Sequence, residues 1–83
     1  MKEILLTAKS VTYAQRMKAI LEKNRIASDI VRPDIEITKG SCAYAVNISQ
    51  SFLPEAIEVL RKNKVMPVRV ILLEGRVYRE IRI

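Results

Sequence analysis

Apolar and polar positions follow two periods along the chain, one of strands and one of helices. Glu3-Ile4-Leu5-Leu6-Thr7 is a short, nearly continuous apolar run, which predicts a buried strand. Ser10 then offers a hydroxyl for a helix N-cap, and Tyr13, Met17, Ile20, Leu21 and Asn24 follow at helical spacing. Asn24 suits the left-handed residue that closes a helix. Residues 28–32 read as a second strand halted by Pro33, and 33–41, polar and holding Gly40, as a loop or irregular strand end. In Ala43-Tyr44-Ala45-Val46-Asn47-Ile48 the two-residue period puts Tyr44, Val46 and Ile48 on one face, with Ala43, Ala45 and Asn47 opposite. Pro54, tolerated in a first turn, opens a helix whose apolar stripe is Leu53, Ala56, Ile57 and Leu60. Residues 68–73 form a strand, Glu74-Gly75 a turn, and 76–83 a last strand pairing back.

The pattern is duplicated. A shift of 39 positions lays 20–26 on 59–65, with Leu21, Lys23 and Asn24 meeting Leu60, Lys62 and Asn63. Asn63 then repeats the helix-ending role of Asn24. Two strand–helix–strand units in series give the order βαββαβ with one further strand. This predicts a single α+β domain over 1–83, a ferredoxin-like split-βαβ sandwich with an additional C-terminal β-strand. Right-handed crossovers make the first and second strands parallel, with the third antiparallel between them. The end of the first strand, the start of the first helix and the start of the third strand then share one end of the sheet. Residues 8–12 and 39–43 are expected to be neighbours.

Composition narrows the chemistry. There is no histidine, which removes Ser-His-Asp and Cys-His mechanisms and any His-ligated metal. One cysteine allows no intrachain disulfide, no CxxC pair and no thiolate metal cage; two isolated glycines allow no Walker loop. We therefore expect no enzyme, no metal and no cofactor. Fifteen basic against nine acidic residues give +6, spread along the chain and not gathered in a tail. RNA reading would need aromatics on the third strand, and after Lys39-Gly40 the stacking positions hold Ser41 and Ala43, so nucleic acid is not the expected partner. No apolar run approaches the roughly 18–20 residues of a membrane span, and Ile4-Leu5-Leu6 is too short for a signal peptide, so the expected location is cytoplasmic.

Cys42 is the one soft nucleophile, in Lys39-Gly40-Ser41-Cys42-Ala43-Tyr44. A lone cysteine is most often a buried, inert hydrophobe. Here it follows a glycine-containing loop, with Lys39 close in the chain and Lys9, Ser10 and Thr12 expected across the same end of the sheet. Ammonium groups and a helix N-terminus favour thiolate over thiol. A thiolate with no water activator beside it can carry a group without hydrolysing a substrate. For Ser10 the plain reading is a helix cap, for Tyr13, Phe52 and Tyr44 the core, and for Arg76, Arg79 and Arg82 an exposed strand face.

With these residues in view, Leu5-Leu6-Thr7, Ser10-Val11-Thr12-Tyr13-Ala14-Gln15, Pro33 and Ser41-Cys42-Ala43-Tyr44-Ala45-Val46 resemble the selenium/sulfur carrier protein-like family. The likeness extends to Glu74-Gly75-Arg76-Val77-Tyr78. It implies that Cys42 takes the family cysteine, Tyr44 the aromatic and Pro33 the loop proline. Ser41 and Ala43 depart from it, standing where glycine is usual. What the resemblance implies is a carrier or adaptor whose single cysteine holds a persulfide or perselenide. Its partners would be sulfur or selenium donor and acceptor proteins, with a cysteine desulfurase-like donor. The alternative is a non-catalytic binding or regulatory module acting through its open sheet face, with Cys42 structural. Both faces of the sheet carry apolar residues, Leu5, Ile71 and Leu73 on one and Ile4, Leu6, Val70 and Leu72 on the other. A face left open by the helices would then be covered by a second copy in a homodimer, with the edge strand at 76–83 as another route.

Overall fold

The computed structural model describes residues 2–34, 36 and 43–82. Along the chain run β1 (Lys2–Ala8), α1 (Val11–Lys23), β2 (Asp29–Val31), β3 (Tyr44–Ser49), a 3-10 turn (Gln50–Phe52), α2 (Leu53–Lys62), β4 (Val70–Glu74) and β5 (Val77–Ile81). The strands make one antiparallel sheet in the order β2-β3-β1-β4-β5. Because β3 is antiparallel to both of its neighbours, β1 and β2 point the same way, as expected of strands joined through a crossover helix. This α+β arrangement is consistent with a ferredoxin-like fold extended by β5.

The two-residue period of the strands separates two clusters. Ile4, Leu6 and Ala8 of β1, Val46 and Ile48 of β3, and Val70 and Leu72 of β4 share a face with Ala14, Met17 and Leu21 of α1 and Ala56, Ile57 and Leu60 of α2. Burying one Ile or Leu of this set is worth ~1.5–3 kcal/mol. The other face was expected to be open. Instead Leu5, Ala45 and Ile71 are only 2%, 0% and 2% exposed within the single chain, with Val31 and Leu73 packed against them. On that face Tyr78 Oη donates to the carbonyl oxygen of Glu36 at 3.1 Å, which sets Glu36 beside β5.

β4 begins two residues later than the apolar run, at Val70 and not Val68, and Thr7 is the reason. Val68 N–H donates to the Thr7 carbonyl at 2.9 Å and Thr7 N–H to the Arg69 carbonyl at 3.0 Å. The Thr7 hydroxyl accepts from Arg69 N–H at 2.8 Å. Two residues thus stand opposite one, a bulge that ends regular pairing.

The duplicated 39-residue register turns out to be a repeated helix ending. Asn24 and Asn63 are not the left-handed residues, having φ of −100° and −91°. That conformation falls one residue later, on Arg25 (φ 63°) and Lys64 (φ 57°). Each asparagine serves through its side chain, donating to the carbonyl four residues back, Ile20 or Val59, at 2.8 Å. Ile26 N–H reaches the Leu21 carbonyl and Arg25 N–H that of Glu22; Val65 and Lys64 do the same with Leu60 and Arg61. These are Schellman closures, and the apolar residues they bring together, Ile26 and Leu21 in one and Val65 and Leu60 in the other, are all buried in the core. A side chain at positive φ is strained where glycine is not. Arg25→Gly and Lys64→Gly should therefore each raise stability by about 0.5–1 kcal/mol in urea unfolding. A loss of stability in both would contradict this account of the helix ends.

Candidate functional site

The pairing of β1 with β3 places the elements named by the sequence. The last pair of that ladder is Ala8 with Tyr44. The next residues outward are Lys9 on one strand and Ala43 on the other, so the turn into α1 and the entry to β3 meet at one end of the sheet. Both Lys9 and Ala43 are exposed.

Ser10 caps α1 as its residue type predicts. It has extended backbone, φ −147° and ψ 164°, and its Oγ accepts from Tyr13 N–H at 3.1 Å. The Ser10 carbonyl accepts from Ala14 N–H at 3.0 Å. Among the described residues, the N–H groups of Val11 and Thr12 have no such acceptor, and the first turn holds no acidic side chain. The helix therefore presents the positive end of its dipole at this corner. Thr12 is exposed there. Tyr13 anchors the helix from behind: its Oη donates to the Met66 carbonyl at 2.6 Å, and its ring packs on the core. Phe52, its counterpart under the 39-residue shift, packs on the core without needing a partner for a hydroxyl.

Tyr44 is half-buried against the core, as its alternation with Val46 and Ile48 implies. Its outer side carries a residue that the sequence reading passed over. The Arg32 guanidinium carbon lies 5.5 Å from the Tyr44 ring centroid, within cation–π range. The signal was available in principle, because pairing Val31 with Ala45 puts Arg32 next to Tyr44. Lys9 on the β1 side and Arg32 on the β2 side thus bracket the start of β3 with positive charge. The last β2 pair is Val31 with Ala45, and Pro33, two residues further on, has no N–H with which to extend the ladder.

Of the predicted site, Lys9, Ser10, Thr12, Ala43 and Tyr44 lie in this corner. Cys42, Lys39, Gly40 and Ser41 lie outside the described residues, as does most of the 33–41 segment. A separate groove of about 640 Å³ runs between α2 and β5, with Leu53, Pro54, Ile57 and Ile81 as apolar walls and Arg61 and Lys62 among its cations. On the far face of the sheet β3 presents Ala45 and Asn47 and no aromatic stacking platform. No helix among the described residues is long and apolar enough to cross a membrane. No protein-family model matches the chain, and comparisons with curated proteins and with solved structures return no match.

The cap is the element of the corner most open to direct measurement. Ser10→Ala removes the acceptor for Tyr13 N–H and should cost about 1 kcal/mol in urea unfolding, with Ser10→Asp close to wild type. An unchanged midpoint in Ser10→Ala would mean that the side chain does not hold the turn.

Proposed function

We propose that this chain is a non-hydrolytic sulfur or selenium carrier with a ferredoxin-like fold, akin to the selenium/sulfur carrier protein-like family, with Cys42 as the carrying thiol. The observation that supports it is the bracketed entry to β3. Lys9, Arg32 and the acid-free N-terminus of α1 surround the end of the sheet at Ala43, and Cys42 is the residue immediately before it in the chain. Positive surroundings favour the anion of a thiol and of a persulfide alike.

The chemistry this supports is exchange without net oxidation. The Cys42 thiolate attacks the terminal sulfur of a donor persulfide, a new S–S bond forms at Cys42, and the donor's thiolate leaves. An acceptor thiolate later attacks the same terminal sulfur and returns Cys42 to its thiolate. Donor and acceptor supply every atom and electron that moves. A selenium donor would follow the same course through a perselenide.

A second reading is favoured by the α2–β5 groove: a binding module for an acidic, partly apolar partner, with Cys42 structural. On the far sheet face, by contrast, Leu5, Ala45 and Ile71 are buried within the single chain.

Incubation with a cysteine desulfurase and cysteine should add about 32 Da, one sulfur, to the wild-type chain and nothing to Cys42→Ser. Alkylation of Cys42 by iodoacetamide near pH 7 should slow about twofold in each of Lys9→Gln and Arg32→Gln, and further in the double variant. A wild-type chain that takes up no sulfur, or an adduct that persists in Cys42→Ser, rejects the carrier and leaves the module.

A further inference from the structure

β5 is the last strand of the sheet and, among the described residues, pairs only with β4. The turn before it decides which of its backbone groups face outward. Glu74 pairs with Val77 across Gly75-Arg76, and Gly75 holds φ 63°, the left-handed first position of a two-residue hairpin loop. The pair flanking such a loop exchanges both backbone hydrogen bonds, and the pattern alternates from there. Val77, Arg79 and Ile81 therefore direct their N–H and C=O groups to β4, and Tyr78 and Glu80 direct theirs to the outer edge, which is unpaired among the described residues. Val77 is 69% and Tyr78 43% exposed, and the strand contains no proline. Such an edge is a template for another strand.

The side chains then select the occupant. When two copies pair antiparallel about a two-fold axis normal to the sheet, each side chain stays on its own face and the two contacts are reciprocal. A centre at Arg79 sets Arg79 against its own copy and Arg76 against Arg82. A centre at Glu80 sets glutamate against glutamate, and one at Val77 overlaps too few strand residues. A centre at Tyr78 sets Tyr78 beside Tyr78 and faces Arg76 with Glu80 twice over. On the helix side of the sheet it lays the aliphatic stem of Arg79 across the exposed Val77 of the other copy.

We propose that two copies of this chain join edge to edge through β5, in the antiparallel register centred on Tyr78, so that one sheet runs through both. A strand of five residues makes a small interface, and the dimer belongs to the transient class. The inference does not depend on the carrier reading, because Cys42 takes no part in it.

Sedimentation equilibrium of the full chain at low ionic strength, from about 10 µM to about 500 µM, should show a reversible monomer–dimer equilibrium. Arg76→Glu and Glu80→Arg each create two like-charge pairs across the axis and should weaken the dimer about tenfold. Both changes in one chain restore opposite charges and should return affinity to within about threefold of wild type. Arg76 and Glu80 are exposed, and circular dichroism checks that each variant keeps its fold. Cys42→Ser should dimerise as the wild type does. A wild-type chain that stays monomeric throughout overturns the proposal. So does an Arg76→Glu chain that associates as tightly as wild type or more tightly, the result expected of the Arg79-centred register or of another surface.

Discussion

The register of β1 between β3 and β4 is the constraint on which the rest depends. Strand side chains alternate, so a slip of one residue would carry Ile4 and Leu6 to the far face and bring Glu3 and Leu5 against the helices. The core would lose its central layer. The same slip would move the turn into α1 away from the entry to β3. The bulge at Thr7 helps to fix the register, because its hydroxyl, N–H and carbonyl are all engaged by Val68 and Arg69. Packing and the candidate site therefore have a common origin, in which residue of β1 lies beside Tyr44.

Much of this was legible in the sequence because it rests on periodicity and on residue types with few roles. The apolar runs placed all five strands and both helices, and Ser10 was recognisable as a cap. Alternation assigned Tyr44, Val46 and Ile48 to the core face. What escaped notice depended on contacts distant in the chain. The shortening of β4 comes from Thr7, more than sixty residues away from Arg69. The burial of Leu5, Ala45 and Ile71 on the far face is a tertiary outcome that alternation within a strand does not report. Arg32 stayed hidden for the same reason, since only the β2–β3 register sets it over Tyr44.

The duplication carries a separate lesson. Asn24 and Asn63 were read as the left-handed residues that end their helices, but that conformation belongs to the residue after each. Asparagine ties back to the last turn, and the cation takes the left-handed backbone. Identity at Leu21 and Leu60 and similarity at Ile26 and Val65 keep the residues that close each helix apolar and buried. The two halves then diverge where the candidate site lies. Ser10 caps α1 with its side chain, whereas α2 follows a 3-10 turn, has Pro54 in its first turn and lacks a side-chain cap. The first half alone offers a capped, acid-free helix start beside a strand entry.

The most direct test of this account is the alignment of β1 with β3 in solution. Proton–proton nuclear Overhauser contacts in the labelled full chain should connect Ala8 with Tyr44 and Leu6 with Val46 as facing pairs. Contacts that instead face Ala8 with Ala43 or Ala45 would show a shifted ladder. The corner assembled from Lys9, Ser10 and Arg32 would then not exist as described.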